Sequence, residues 1–140
     1  MSDASDLAAL LASQEPPACA ALTPFAVEAA DYAAGTIRLR FEEQPAFRNH
    51  FGNIQGGFAV AMVDVLSLAV YAKVKAWLPT IEIKSSFVAP AKLGPCVGEA
   101  AVIRAGRLLV FAEARLWGAD GKLAVHATGT SVSPSNSEAK

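Results

Sequence analysis

The chain has 140 residues, of which 53% are hydrophobic and only 18% are charged. This length suits one domain with a single core, and the low charge indicates apolar surface that a second subunit would cover. The formal net charge of -1 gives no electrostatic basis for binding nucleic acid or an anionic membrane surface.

The predicted elements begin with a short amphipathic helix over residues 3–13, which the Pro16-Pro17 pair ends. A first strand is predicted over 25–32. Apolar and polar residues alternate over 36–41, as in a half-buried strand. Residues 42–54 contain proline, glycine and asparagine without any period, and this composition predicts a loop.

A long helix is predicted from about Gln55 to Trp77, and Pro79 ends it. It is apolar nearly all round, which is typical of a buried helix. The run from Gly56 to Ala72 approaches the length of a membrane span. However, Asp64 lies at its middle, two glycines begin it and amphipathic strands follow it, so we expect no membrane span. A helix without a polar face needs more cover than one small sheet gives, which favours a homodimer.

Four strands are predicted after this helix, over residues 80–89, 96–105, 107–117 and 122–132. Asp120-Gly121 is the signal of a tight hairpin turn between the last two strands. We expect the strands to follow a meander or near-meander order. One long buried helix with such strands predicts an α+β fold, in which an antiparallel sheet wraps around the central helix.

The chain is expected to divide into an N-terminal helix and linker over 1–20, one domain over 21–133 and a tail over 134–140 that is disordered by composition. Cys19 and Cys96 form neither a disulfide framework nor a zinc site, and we interpret them as free thiols of a reducing compartment. The N-terminus has no basic region before its apolar part, unlike a secretory signal. We therefore expect a cytoplasmic protein without a metal site.

Asp64 is the only charged residue between Gly56 and Ala72. A buried carboxylate is costly unless it is hydrogen-bonded, so Asp64 is either a satisfied structural acid or a chemically active one. Gly56 and Gly57 begin a helix whose first N–H groups lack partners, and a carbonyl held there would be polarised by the helix dipole. Asp64 lies about 12 Å further along the same helix and cannot reach that carbonyl.

The stretch from Asn49 to Asp64 resembles the signature of hotdog-fold acyl-CoA thioesterases, in the branch with phenylacetyl-CoA and 4-hydroxybenzoyl-CoA thioesterases. The matching residues are Asn49, Gly52, Gln55-Gly56-Gly57 and Asp64. The pieces at 86–91, 104–107 and 119–123 also resemble this branch, so the similarity covers about residues 36–132. It implies a hotdog fold and hydrolysis of an acyl-CoA thioester to a carboxylic acid and CoA, with no cofactor besides the CoA of the substrate.

The resemblance also implies catalytic roles for Asp64, Gly56, Asn49 and Thr80. In this family, the carboxylate of one subunit faces the helix N-terminus of the other, in a homodimer or a dimer of dimers. Asp64 would then act as general base or as nucleophile, and the N–H group of Gly56 would stabilise the oxyanion. Asn49 matches an amide position near the thioester, and Thr80 matches a hydroxyl position that holds the water or the carboxylate.

The predicted substrate contacts are Gln55, Gly57, Phe58, Met62, Arg104 and Arg107. The two arginines match basic positions near the CoA nucleotide, where a planar guanidinium suits phosphate. Phe58 and Met62 lie one helical turn apart, where both could line an acyl pocket.

Gln55 stands where the resembled family usually has histidine, and its amide can form hydrogen bonds but cannot titrate. Two alternative functions remain open. One is a dimer that binds an acyl group or CoA without hydrolysis, and the other is a dehydratase of hydroxyacyl thioesters. The lack of a histidine in this motif counts against the dehydratase.

Overall fold

The computed structural model describes residues 2–133, which contain three α-helices and six strands. The helices are α1 (Asp3–Ser13), α2 (Gly56–Val63) and α3 (Leu66–Val74), and the strands are β1 (Phe25–Asp31), β2 (Thr36–Phe41), β3 (Thr80–Phe87), β4 (Cys96–Ala105), β5 (Leu109–Trp117) and β6 (Leu123–Val132). Strand β5 begins two residues later than expected, because the Gly106 N–H group donates to the Leu109 carbonyl at 2.8 Å and closes the turn there. The tail predicted over 134–140 lies outside the described residues.

The six strands form one antiparallel sheet in the order β1-β2-β4-β5-β6-β3. The expected meander order is correct for β4, β5 and β6 but wrong for β3, which lies beside β6 at the edge of the sheet. The chain leaves β2, crosses the inner face of the sheet as a helical segment and enters the far edge as β3. The next three strands then fill the space between β2 and β3.

The core lies between the inner face of the sheet and the two central helices. Helix α2 packs over β4, β5 and β6, and α3 packs over β2, β4 and β5. The alternation predicted for β2 is confirmed, since Ile37, Leu39 and Phe41 are all buried. The α+β architecture, with an antiparallel sheet around a central helical segment, is therefore confirmed.

The central helical segment is interrupted at Asp64. The N–H groups of Asp64 and Val65 each donate to the third carbonyl before them, at 3.4 Å, instead of the fourth. These short turns separate α2 from α3, a break that the apolar sequence does not predict. The segment then ends at Val74, before the expected Trp77, because Lys75 adopts a left-handed conformation with φ of 59°.

The segment Gly56–Val74 is also long and apolar enough to span a membrane by length and composition, with a mean hydropathy of 1.7. Half of its most apolar window is buried inside the fold. Core helices of soluble proteins have the same length and composition, so the finding is weak evidence for a span.

The two edges of the sheet differ in how they are covered. Strand β1 is covered by α1, in which Leu7 is fully buried and Asp3 accepts a hydrogen bond from the Tyr32 N–H group at 2.8 Å. The inner face of β3 is only partly covered: Ile83 packs against the core, but other apolar residues of this strand do not. Ile81 and Phe87 point to this face, yet they are 56% and 55% exposed. The single chain thus leaves an apolar edge strand without cover.

Candidate active site

The loop before α2 is fastened at two points, which fixes where the helix begins. The N–H group of Ile54 donates to the Ala91 carbonyl at 2.9 Å, and the N–H group of Gln55 donates to the Phe47 carbonyl at 2.8 Å. Gln55 has an extended backbone and no capping side-chain hydrogen bond, so helical geometry starts at Gly56. The side chain of Gln55 is exposed and lies next to the first turn of α2.

The first two N–H groups of α2 are available to a ligand. The Gln55 carbonyl already accepts the N–H group of Phe58 at 2.9 Å. Within residues 2–133, the N–H groups of Gly56 and Gly57 donate no hydrogen bond. Such donors at a helix N-terminus, together with the helix dipole, favour an oxygen that carries negative charge. The predicted oxyanion position at Gly56 therefore has the required donors.

The space around these donors is open on one side and walled on the other. A Cβ atom at Gly57 would meet no other atom within 4 Å, whereas one at Gly56 would lie 3.4 Å from the Phe87 ring. Phe87 is therefore a functional candidate that the motif did not indicate. Phe87 pairs with the buried Val125 and therefore points inward, but its position beside the helix start depends on where β3 lies in the sheet.

Asn49 organises the loop that leads to this helix start. Its side-chain oxygen accepts hydrogen bonds from the N–H groups of Phe51 at 2.9 Å and Asn53 at 3.0 Å. Its own N–H group donates to the Asn53 carbonyl at 2.7 Å. In this arrangement the Asn49 side-chain oxygen positions the loop, which is the turn-forming role that such a residue often has.

Asp64 lies on an exposed face of the helical segment, although the sequence predicts a helix buried all round. Gly57 and Ala61 share this face at helical spacing. Within residues 2–133, the Asp64 carboxylate has no hydrogen bond or ion pair, whereas the Asp64 backbone carbonyl accepts hydrogen bonds from the Ser67 hydroxyl at 2.8 Å and the Ser67 N–H group at 2.9 Å. The apolar surroundings reduce its hydration and raise its pKa above the usual aspartate value.

Phe58 and Met62 do not line a common pocket in the single chain. The Phe58 ring is 41% exposed and stacks on Phe47, with ring centres 4.3 Å apart. Met62 is 3% exposed and belongs to the core. The partly exposed ring of Phe58 therefore forms an aromatic wall near the helix start, whereas the Met62 side chain lies in the protein interior.

Thr80, Arg104 and Arg107 lie at the opposite end of the sheet from Gly56. Thr80 begins β3, whereas Phe87, which contacts Gly56, ends it about 23 Å away at 3.3 Å per residue. The turn between β4 and β5, which contains Arg107, also lies at the Thr80 end. The single chain therefore separates the predicted site residues into two groups.

Other chemistry has little support in the described part of the chain. Among residues 2–133, no cluster of three His, Cys, Asp or Glu side chains could hold a metal ion. Cys96 is buried, and burial raises the pKa of its thiol to about 11. A thiol with such a pKa is a poor nucleophile at neutral pH.

Comparison with known proteins gives the family. The sequence model of the thioesterase superfamily matches residues 51–125. The structure of a phenylacetic acid degradation-related protein from Ralstonia eutropha JMP134, described as a candidate thioesterase, is 32% identical, with a TM-score of 0.80 over 92% of this chain and 98% of that one. A conserved protein from Pseudomonas aeruginosa is 25% identical, with a TM-score of 0.74 over 86% and 96% of the two chains. Zebrafish thioesterase superfamily member 2 is 21% identical, with a TM-score of 0.79 over 94% and 98%. No curated protein matches the sequence.

The superfamily match includes the stretch from Gly56 to Asp64 that carries the helix start and the exposed carboxylate. The similarity to the Ralstonia protein extends over nearly the whole chain, including the six-stranded sheet. The resemblance expected from the sequence is confirmed. The chain belongs to the thioesterase superfamily and has its hotdog fold.

Proposed function

We propose that this protein is an acyl-CoA thioesterase that acts as a homodimer and releases a carboxylic acid and CoA. One observation carries the proposal. The helical segment presents two free N–H groups at Gly56 and Gly57, and it presents the Asp64 carboxylate on the same exposed face. These groups lie about 12 Å apart along the helix, so one carbonyl can meet both only when two chains contribute.

The uncovered edge strand suggests how two chains meet. If β3 pairs with its symmetry copy in antiparallel fashion, the exposed Ile81 and Phe87 become buried. The Thr80 end of one strand then lies beside the Phe87 end of the other. Because Phe87 lies beside Gly56, this pairing brings Thr80 of the partner subunit toward the helix start. The turn with the partner's Arg107 comes to the same end.

The chemistry then follows from the two donors and the carboxylate. The thioester carbonyl oxygen accepts hydrogen bonds at the helix start, where one such donor contributes about 3 kcal/mol of transition-state stabilisation. The partner's Asp64 either removes a proton from the attacking water or attacks the carbonyl carbon itself. The tetrahedral intermediate collapses, the carbon–sulfur bond breaks, and the CoA thiolate leaves and takes up a proton. If water attacked, the carboxylic acid is released in this step. If Asp64 attacked, a mixed anhydride with Asp64 remains, and water hydrolyses it to release the acid and restore the carboxylate.

The remaining predicted site residues would bind the substrate. Arg104 and Arg107 would bind CoA phosphates, and Phe58 would line the acyl site beside the helix start. Gln55 would form hydrogen bonds to the substrate without titrating. We place the reaction in the cytoplasm and propose that it uses no cofactor besides the CoA of the substrate. Pairs of dimers would form the tetramer.

The test is release of the CoA thiol over a panel of aromatic, branched and straight-chain acyl-CoAs. Wild-type protein should hydrolyse part of the panel, and Asp64→Ala should lose the activity. The exposed Glu43→Gln serves as a control for loss of a surface carboxylate. Equal activity in wild type and Asp64→Ala would rule out the role of Asp64. Calorimetric binding of acyl-CoA without thiol release would instead support the non-catalytic alternative.

A further inference from the structure

The break in the central helical segment is held at the backbone carbonyl of Asp64. This residue has φ of -65° and ψ of 4°, whereas ψ in an α-helix is about -42°. Its carbonyl oxygen accepts hydrogen bonds from the Ser67 hydroxyl at 2.8 Å and from the Ser67 N–H group at 2.9 Å. In a continuous α-helix this carbonyl would accept the N–H group of Leu68. That N–H group instead donates to the Val65 carbonyl at 3.1 Å, so the Asp64 carbonyl is held by Ser67.

The same torsion angle determines where the Asp64 carboxylate points. The angle ψ is the rotation about the bond between Cα and the carbonyl carbon, so two donors that hold the carbonyl oxygen also fix this rotation. The Asp64 side chain leaves the same Cα atom, and its direction relative to α3 therefore depends on ψ. Relaxation to a continuous helix would turn the side chain by about 45° relative to α3. Such a turn would move the carboxylate by roughly 1–2 Å.

Ser67 is an unusual residue for this part of the chain. It is the only serine or threonine between Gly56 and Val74, and it lies three residues after the only carboxylate of that stretch. Alanine would favour the helix more than serine does, and a hydroxyl that bonds to a carbonyl one turn earlier tends to bend a helix. The Asp64 carbonyl already accepts the Ser67 N–H group, so it does not need the hydroxyl to be satisfied. The hydroxyl therefore adds a constraint on the break.

We propose that Ser67 is a positioning residue, whose hydroxyl holds the Asp64 carbonyl and thereby directs the Asp64 carboxylate toward the thioester bound by the partner subunit. This inference rests on the proposed thioesterase function. Within residues 2–133, no side chain forms a hydrogen bond to the carboxylate, so its direction depends on the backbone that carries it. A misplacement of about 1 Å can lower a reaction rate about 100-fold.

Ser67→Ala tests this role, with thiol release measured over a range of acyl-CoA concentrations. The substitution should lower kcat about tenfold or more, because the carboxylate is no longer held in one direction. KM should stay within about twofold of wild type, since the N–H groups of Gly56 and Gly57 would still bind the carbonyl. Ser67→Thr should keep kcat near wild type, because a threonine hydroxyl in a helix can also donate to the carbonyl three residues earlier.

Ser13→Ala is the matched control. The Ser13 hydroxyl donates to the Leu10 carbonyl at 2.7 Å, which also lies three residues earlier, but it does so at the end of α1. In both places the higher helix propensity of alanine offsets the lost hydrogen bond. The Tm of Ser67→Ala and of Ser13→Ala should therefore stay within about 2 °C of wild type. Ser13→Ala should also keep the kcat of wild type.

Four results would overturn the inference, and they separate it from the proposed function. A wild-type kcat in Ser67→Ala, with Asp64→Ala inactive, would overturn it and leave the thioesterase proposal intact. A kcat in Ser67→Thr as low as in Ser67→Ala would show that the hydroxyl is not the group that matters. A clear fall in the Tm of Ser67→Ala, or loss of its dimer in size-exclusion chromatography, would assign Ser67 a structural role instead. Failure of wild type to hydrolyse any acyl-CoA of the panel would refute both proposals.

Discussion

Replacing Gly57 with alanine should separate stability from activity. The added Cβ would meet no other atom within 4 Å in the chain, and the backbone of Gly57 does not have a positive φ. Alanine therefore fits the folded chain without strain. Glycine inside a helix is less favourable than alanine by about 0.5–1 kcal/mol. The substitution should raise Tm by about 2–4 °C for a chain of this size.

The same methyl group should greatly reduce activity. It would occupy the open space through which a carbonyl oxygen approaches the N–H groups of Gly56 and Gly57. Useful oxyanion donors must come within about 3 Å of the oxygen, and loss of one typically lowers kcat by about 100- to 1,000-fold. Thiol release at saturating acyl-CoA measures kcat, and light scattering after size-exclusion chromatography checks that the variant keeps the assembly of wild type.

The control is Ala9→Gly, an inverse exchange on the exposed face of α1. It should lower stability by about 1 kcal/mol with kcat unchanged, which measures the effect of glycine on a helix in this fold. Gly57→Ala with full kcat would refute the assignment of the oxyanion site. A variant that loses stability together with activity would refute the claim that the space beside Gly57 is free.

Three further predictions concern the carboxylate, the aromatic wall and the edge strand. Reduced hydration raises the pKa of Asp64, so the acid limb of the kcat/KM profile should lie above the usual aspartate value of 3.8, and ionisation should cost folding stability. Asp64→Asn should therefore have a higher Tm than wild type at pH 7, and this difference should vanish below pH 3.8, where the Asp64 carboxyl is protonated. Curves of Tm against pH that stay parallel for the two proteins would contradict this prediction. Phe87→Ala should lower kcat/KM about tenfold, because about 1.5 kcal/mol of apolar contact beside Gly56 is lost, and unchanged kcat/KM would remove Phe87 from the site. Ile81→Lys places a charge where two β3 strands are proposed to meet, so sedimentation should show monomers without activity, and a persistent active dimer would argue against this edge as the interface.

The elements of this fold could be predicted from local patterns. The alternation at Ile37, Leu39 and Phe41 specified a half-buried strand, and the Asp120-Gly121 pair marked the hairpin between β5 and β6. The position of β3 could not be predicted in the same way. Its pairing with β6 joins residues that are 38 to 51 positions apart, and no local periodicity encodes such a choice. The helix break at Asp64 could not be predicted either, because the residues on both sides of it are apolar and form one continuous helical pattern.

The candidate site was predictable where the signal lies within one motif. Gly56, Gly57 and Asp64 are close in sequence, and the structure gives the two glycines the free N–H groups that the motif suggested, whereas the exposure of Asp64 was not expected from so apolar a helix. Phe87 was missed because its importance depends on β3 being an edge strand beside the helix start. A phenylalanine in an alternating strand otherwise indicates nothing beyond its face.

The break at Asp64 has a consequence for amide exchange. The hydrogen bonds of the Asp64 and Val65 N–H groups are both 3.4 Å long, near the limit for such bonds. Their deuterium uptake should therefore precede that of the buried turns on either side, at Ala59 and Ala69. The Asp64 carboxylate would then lie in the part of the helical segment that opens at the lowest free energy. Small changes of the backbone at this break can therefore change the direction of the carboxylate while the sheet stays in place.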